Sequence, residues 1–168
     1  MIRKLILLAV FTLLVSCGST KVAYFPTSEV TYNDYNGDIL NVRVLGYGTN
    51  QQEAIEDAQI RALETLLFRG IPNSSISKPL VGYNETNLKQ RNGNYFSEFY
   101  GGKRYLTFIS ESNFIAAENQ QVIATKIKKK KTEKGMVKAI VAAVDVLINV
   151  KPLRKDLEQN NVIRKFGY

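Results

Sequence analysis

The sequence predicts an α+β domain of two layers, in which a mostly antiparallel sheet of about four to five strands packs against one long helix and one or two short helices. Three observations predict it: an Asn-Gly pair between two strand-like runs, a segment of helical period after them, and a long β-branched run near the C-terminus. The strand runs cluster instead of alternating with helices, which favours antiparallel pairing. The length of 168 residues allows one such domain, predicted over residues 29–168, with a tether before it.

The first two strands are predicted to form a hairpin around Asn36-Gly37. Asn-Gly is the strongest two-residue hairpin signal, because a type I′ turn needs positive φ at both central positions. The second arm, 39–45, alternates apolar and polar residues and is predicted to bury one face. The first arm, 29–35, alternates less regularly, and a continuation of the tether is the alternative for it.

The most regular helical period lies between residues 50 and 69. Asn50 suits the N-cap position, with Glu53 three residues later as in a capping box. Gly70 is predicted to end the helix, and Gly46-Tyr47-Gly48 is predicted to break the strand before it. The face predicted to pack on the sheet consists of Ala54, Ile55, Ala58, Ala62 and Leu66.

Residues 71–92 show no period and are predicted to form a long loop, a feature that is usually functional or mobile. The segment 94–100 is predicted to form a short aromatic helix that ends at Gly101-Gly102. Within it, Tyr95, Phe99 and Tyr100 are candidates for contact with a ligand or partner. The alternative is that these rings pack in the core, which is the commoner use of an aromatic cluster.

Three further strands are predicted, over 103–114, 120–131 and 136–150, with a turn at 132–135 between the last two. The last strand is apolar on both sides, which predicts a central strand that is covered on much of both faces. One side carries Ile140, Ala142, Val144, Val146 and Ile148, and the other carries Val141, Ala143, Asp145 and Leu147. Pro152 is predicted to open a final helix that runs to Gln159, with Leu153 and Leu157 facing inward.

Residues 1–16 have the pattern of a secretory signal peptide. Arg3 and Lys4 precede the apolar run Leu5 to Val15, which is too short to cross the roughly 30 Å hydrocarbon core of a membrane as a helix. Small residues follow the run, as they do at a cleavage site. Residues 1–16 are therefore predicted to be removed.

The order Leu14-Val15-Ser16-Cys17 resembles the lipobox of bacterial lipoproteins. The resemblance implies cleavage before Cys17, a thioether-linked diacylglycerol on its sulfur and acylation of the new amine with a fatty acid such as palmitate. Residues 17–28 would then be the lipidated tether. Because Asp does not follow Cys17, the resemblance implies delivery to the outer membrane, and the periplasmic side is favoured over the cell surface. An ordinary secretory signal with an incidental Cys is the alternative.

Gly46-Tyr47-Gly48 followed by a helix with Ala54, Ala58 and Ala62 resembles small bacterial lipoproteins related to the N-terminal domain of the flagellar T-ring protein. The ending 153–158 with Phe166-Gly167 is similar to outer-membrane lipoproteins of the same build. This resemblance implies an α+β envelope domain without catalytic residues.

Composition excludes several kinds of chemistry. One Cys and no His exclude an internal disulfide framework and the Ser-His-Asp and Cys-His arrangements. Gly46 and Gly48 do not begin a dinucleotide-binding loop, because Gln51 stands where the third glycine would fall. Asp145 lies within an apolar strand and is either a base of raised pKa or, more commonly, a carboxylate that faces solvent or pairs with a Lys of the neighbouring strand. No enzyme activity, metal or cofactor is expected.

A basic run surrounds the predicted turn at 132–135, in a chain with 23 Lys and Arg against 15 Asp and Glu. It is either a solvated hairpin end or a contact with anionic lipid head groups. Nucleic acid is not an expected partner, because no aromatic residues interleave the lysines. The candidate contact residues are Lys126, Lys128, Lys129, Lys130, Lys131 and Lys134.

Two functions follow from these observations. The first is a non-enzymatic envelope lipoprotein that is anchored in the membrane by lipid and docks on an envelope protein or supports an assembly. The alternative is a ligand-binding module that uses the aromatic segment 95–105 and the loop 71–92.

Overall fold

A computed structural model of the protein describes residues 30–115, 123–128 and 134–165, with side chains for 30–115 and 141–165. The signal segment 1–16, Cys17 with its tether, and Lys129, Lys130 and Lys131 lie outside the described residues. The predicted α+β class is confirmed: in the described residues, an antiparallel sheet with four strands on its main path and a fifth strand paired off this path packs with four α-helices.

The strands are β1 (Val30–Asn36), β2 (Ile39–Gly48), β3 (Ile109–Ile115), β4 (Ile123–Lys128) and β5 (Lys134–Asn149). The α-helices are α1 (Gln51–Phe68), α2 (Glu85–Arg91), α3 (Gly93–Phe96) and α4 (Val150–Gln159). The sheet order is β1-β2-β5-β3, and β4 pairs with the N-terminal part of β5. The long β5 has β2 on one side and β3 on the other, so its predicted central position is confirmed.

The β1–β2 hairpin forms as predicted, but its turn differs. Asn36 still pairs with Ile39, so the two loop residues are Gly37 and Asp38. Of these two, Gly37 has positive φ (61°), as a type II′ turn requires at its first central residue, whereas Asp38 does not. The predicted type I′ turn over Asn36-Gly37 is therefore wrong by one position, because the register is set by strand pairing over the whole hairpin.

Strand β2 does not break at Gly46. Gly46 and Gly48 continue the ladder, opposite Ala142 and Ile140 of β5. A Cβ at Gly46 would collide with the carbonyl oxygen of Ala54 and lie 2.9 Å from the Cβ of Ala58. These glycines therefore allow α1 to lie directly on the strand, and the prediction that they end the strand is wrong.

Helix α1 begins and ends as predicted. The Asn50 side chain accepts a hydrogen bond from the Glu53 N–H at 2.9 Å, and the Glu53 carboxylate accepts one from the Thr49 N–H at 2.8 Å. Hydrogen bonds from Thr49 lower the pKa of Glu53 below its usual value. Gly70 follows the helix with φ of 80°, and its N–H donates to Thr65 O at 2.7 Å. The fully buried residues of this helix include Ala54, Ala58, Ala62 and Leu66.

The predicted loop 71–92 is wrong in its second half, where α2 occupies residues 85–91. Asn84 caps this helix by accepting from the Asn87 N–H at 3.2 Å. Lys89 ties the helix to α1, with its Nζ 2.7 Å from Glu64 and 2.8 Å from Glu85. The sequence of α2 is polar and has no apolar stripe, so its pattern did not predict a helix. Tertiary ion pairs stabilise the helix instead.

The predicted strand 103–114 is a short 3₁₀ helix, Arg104–Phe108, followed by β3. Lys103 has φ of 54°, so the chain turns there. Tyr105 and Phe108, three residues apart, are both buried, which suits a period of three and not the alternation of a strand. The aromatic helix predicted over 94–100 is confirmed as α3 continued by a turn of π-helix, Ser97–Gly101.

Helix α4 buries its predicted face, but the described helices pack on only one face of β5, so the cover predicted for much of both faces of this strand is wrong. Strand β5 buries Ala142, Val144, Val146 and Ile148 against the core, and α4 buries Leu153 and Leu157; the side chain of Ile140 lies outside the described residues. Helix α4 begins two residues before Pro152, at Val150, whose N–H donates to Asp38 O in the β1–β2 turn at 2.9 Å. The start predicted at Pro152 is therefore two residues late.

Candidate functional site

The helices cover one face of the sheet, and the outward side chains of β2 and β5 form what we call the open face. Along β2 and β5, fully buried residues alternate with half-buried or exposed ones, because successive side chains point to opposite sides. Among the residues with described side chains, the apolar members of this face are not part of the hydrophobic core. The open face consists of Asn41, Arg43, Leu45, Val141, Ala143, Asp145 and Leu147.

An ion pair lies in the middle of the open face. Arg43 and Asp145 are directly opposite in the β2–β5 register, and the guanidinium binds the carboxylate through two hydrogen bonds, Nε–Oδ1 at 2.8 Å and Nη2–Oδ2 at 2.9 Å. Asn33 of β1 donates from its Nδ2 to Asp145 Oδ1 at 3.1 Å and to Asn41 Oδ1 at 3.2 Å. Three strands thus hold one carboxylate in a fixed position.

The electrostatics of Asp145 differ from those of a general base. The hydrogen bonds from Arg43 lower the pKa of Asp145 below its usual range, and the bond from Asn33 acts in the same direction. A general base works best with a pKa near the operating pH, which for a carboxylate means a raised value. Of the two alternatives that the sequence left open, the structure shows the paired carboxylate.

The aromatic segment forms part of the core. Phe99 is fully buried and Tyr95 is 8% exposed, while Tyr100 is half-buried. Their rings pack against one another and against Phe96 in stacked and edge-to-face arrangements, with ring centroids 5.0 to 6.5 Å apart. A ligand could touch Phe99 only by opening the core. Burial therefore supports the core-packing alternative, and ligand contact at these three residues is unsupported by their positions.

The aromatic cluster is tied to the C-terminal helix by Asp156. Tyr95 donates from its hydroxyl to Asp156 Oδ2 at 2.7 Å, and Arg104 Nη1 lies 2.8 Å from Asp156 Oδ1. The Arg104 guanidinium also lies over the Tyr95 ring, 4.8 Å from its centre. Burial, together with the bond to Asp156, raises the pKa of Tyr95 above its usual range. This group of side chains joins α3, the 3₁₀ helix and α4.

The candidate basic residues that are described lie on the β4–β5 hairpin. This hairpin extends past the rest of the sheet, because β2 pairing reaches Ile140 and β3 pairing reaches Ala143. In the register, Lys128 pairs with Lys134 and Lys126 pairs with Met136. Two lysines in opposite positions are unfavourable unless an anion offsets their charge.

Part of the 71–92 segment lines a cleft of about 540 Å³ on the side of the molecule where α2 and α4 end. Leu80, Val81 and Arg91 contribute from this segment, and the remaining residues follow or belong to α4. The aromatic residues do not line it. Sequence reasoning missed this cleft because its walls are far apart in the chain.

Among the described residues, no helix has the length and apolar character needed to cross a membrane. Within the same part of the chain, no three His, Cys, Asp or Glu side chains come together in a way that could hold a metal ion.

No protein-family model, curated protein or solved structure matches the chain. The resemblance to lipoproteins related to the flagellar T-ring protein therefore stays a prediction. The observations that bear on the function are the lipobox sequence and the geometry of the open face.

Proposed function

We propose that the protein is a non-enzymatic lipoprotein of the cell envelope that docks on a partner protein through the open face of its sheet. Lipid on Cys17 holds it in the outer membrane, and the domain faces the periplasm. The observation that carries the proposal is the sheet face on which no helix of the described residues packs, with the Arg43–Asp145 pair at its centre.

The composition of the open face suits a docking surface. Leu45, Ala143 and Leu147 supply apolar contact area beside the ion pair, and Asn33 and Asn41 lie at the side nearest β1. Protein interfaces combine apolar contacts with hydrogen-bonding groups in this way. Because the polar groups are already paired with one another, a partner can cover them without leaving a buried charge alone.

The side of the sheet that contains the open face is close to the size of an interface. Its strands β1, β2 and β3 have 7, 10 and 7 residues, and 10 residues of β5 pair with β2. At about 4.8 Å between strands and about 3.3 Å per residue, this side presents about 500 Å². A standard interface buries about 800 Å² on each partner. A partner protein that covers the open face, the neighbouring side chains of β1 and β3 and one edge of the sheet would approach that size.

Site-specific photocrosslinking in intact cells tests the docking surface. A photoreactive residue at Leu45 or Leu147 is expected to capture one and the same protein, and Gln52, which is exposed on α1, is the control position. The substitution Ala143→Arg should abolish capture from Leu147. Equal capture from Gln52, or capture that survives Ala143→Arg, would count against the open face as the docking surface.

The proposed lipid anchor at Cys17 is tested separately from the docking surface. Mass spectrometry of the N-terminal peptide of the native protein should find Cys17 as the first residue, carrying diacylglycerol and an amide-linked acyl chain. The variant Cys17→Ser should keep Met1 and lose these lipids. A native protein that begins at Met1 with a free thiol would refute the anchor.

The lysines of the β4–β5 hairpin support a second contact of the anchored protein, with anionic lipid head groups. Each cation near such a surface contributes about 1 kcal/mol. A lipid anchor would bring the domain within reach of that surface. Replacing Lys128 and Lys134 by Gln should make the protein easier to extract from membranes at low salt, and no change in extraction would contradict the contact.

A ligand-binding module is the second candidate function, and one observation favours it: the cleft to which Leu80, Val81 and Arg91 contribute. Of the two segments predicted to bind a ligand, the 71–92 segment contributes to this cleft, whereas no residue of the aromatic segment 95–105 lines it. The positively charged residues that line this cleft indicate the class of ligand that it would bind.

A further inference from the structure

The cleft is built by three parts of the chain that meet only in the folded protein. Leu80 and Val81 are held against the end of α1, since their N–H groups donate to Leu66 O and Leu67 O at 3.1 and 2.9 Å. Arg91 is the last residue of α2. The third wall is the segment 161–165, which folds back over α4 because Val162 N–H donates to Leu157 O at 2.9 Å.

The charged residues of the described lining are all positive. They are Arg91, Arg154, Arg164 and Lys165, and no Asp or Glu is among the described residues that line the cleft. Arg154 has a partner, Glu158, with Nε 3.5 Å from Oε1. For the other three, no carboxylate lies within 4 Å among the residues with described side chains.

Among the thirteen cations with described side chains, eight pair with a carboxylate, and three of the five that do not pair lie together in this cleft, which makes their grouping informative. Among the described side chains, Arg43, Arg61, Arg69, Lys89, Lys103, Arg104, Lys151 and Arg154 each pair with a carboxylate. Apart from the three cations in the cleft, only Lys78 and Lys155 lack such a pair in the same part of the chain. Like charges that share a cleft repel one another, and a bound anion relieves that repulsion.

We propose that this cleft binds a phosphate group carried on a partly apolar molecule. Three arginines favour phosphate because the planar guanidinium forms two parallel hydrogen bonds with its oxygens. A phosphate monoester carries up to two negative charges and matches four cations better than a single carboxylate does. Leu80, Val81, Val162 and Ile163 provide the apolar wall that would contact the body of the molecule.

The volume of about 540 Å³ falls within the range of small-molecule sites and exceeds what a phosphate ion alone would fill. The phosphate could come from a membrane lipid or from a soluble phosphate ester, and both would present the same group to the arginines. This inference is independent of the docking proposal, because the cleft and the open face have no residue in common.

Calorimetric titration of the full-length protein in detergent with inorganic pyrophosphate tests the cleft. The double variant Arg91→Gln with Arg164→Gln should weaken binding about 100-fold, since each lost charge-assisted contact costs about 1.4 kcal/mol, or tenfold. Both side chains are exposed, so circular dichroism should show an unchanged fold.

The matched control is Lys78→Gln with Lys155→Gln, which removes the same charge from exposed, unpaired residues outside the cleft. It should change the affinity by no more than about twofold, or 0.4 kcal/mol. The hairpin pair Lys128→Gln with Lys134→Gln should behave in the same way. Absence of pyrophosphate binding at about 1 mM, or equal weakening in all three double variants, would overturn the proposal.

A second titration identifies the source of the phosphate. Dihexanoyl phosphatidic acid and glycerol 3-phosphate carry the same phosphate monoester and differ in their acyl chains. Tighter, cleft-dependent binding of the former would support a lipid, and equal cleft-dependent affinity would support a soluble ester. If neither depends on Arg91 and Arg164, the cleft is not a phosphate site.

Discussion

The two faces of the central strands differ sharply although they come from the same residues of sequence. On the inward face, Leu40, Val42 and Val44 of β2 are completely buried under α1. On the outward face, Asn41 and Arg43 stand between them and take part in a polar network. A strand alternates its side chains, so one segment can serve the stability of the fold and a docking surface independently.

Because the two faces are separate, the fold should tolerate substitutions on one face better than on the other. A change on the inward face disturbs close packing, whereas a change on the open face alters contacts that water can replace. The fold should therefore survive most changes on the open face, and the proposed docking should not. The following substitutions test whether the two faces differ in this way.

The largest effect is expected on the inward face. Leu40→Ala should lower the free energy of unfolding by about 2–5 kcal/mol, because it leaves a cavity beside α1. Leu45→Ala, five residues along the same strand but half-buried on the open face, should cost about 1 kcal/mol or less. Urea denaturation followed by circular dichroism measures both. Equal losses would mean that something covers the open face in the folded monomer.

A smaller effect is expected where α1 touches the strand backbone. Gly46→Ala should cost about 1–3 kcal/mol, because its Cβ would collide with the Ala54 carbonyl oxygen and force the helix away from the sheet. Gly101→Ala is the matched control, since a Cβ there meets no atom within 4 Å. Thermal unfolding should separate the two variants. A stable Gly46→Ala variant would show that the helix can shift without loss.

The smallest effect is expected at the ion pair of the open face. The ionised Asp145 is favoured in the folded protein, since hydrogen bonds from Arg43 lower its pKa. Its contribution to stability is therefore present above about pH 4 and is lost as the pH falls through the lowered pKa. Asp145→Asn should flatten the acid side of the stability–pH profile while costing less at neutral pH than Leu40→Ala.

A substitution of Arg43, the partner of Asp145 in the ion pair, is the control for Asp145→Asn. Arg43→Gln should flatten the same part of the profile, and the double variant should add little to either single change, as expected for two residues that act as a pair. Additive losses in urea denaturation would mean that the two side chains contribute separately and that the open face lacks a central pair.

Local patterns in the sequence predicted much of the fold. The N-cap at Asn50, the end at Gly70 and the alternation in β2 and β5 depend on neighbours within a few residues, and all are present in the structure. The missed helix α2 and the 3₁₀ helix at 104–108 had no such pattern, because long-range packing and ion pairs stabilise them. The aromatic segment was predicted as a helix, with core packing as the commoner of its two uses, and the burial of Phe99 and Tyr95 in the structure supports that alternative.

The inward residues of β2 and the two ends of α1 follow from side-chain alternation and backbone capping, which are local properties of the chain. In β5 both sides are apolar, so its inward side was fixed by the packing of α1 in the folded protein. The tertiary fold also fixes which outward residues meet. Arg43 and Asp145 are 102 positions apart, and the cleft joins Val81, Arg91 and Arg164. Such encounters depend on strand register and helix packing, which are set by the free energy of the whole core and not by any local stretch of chain.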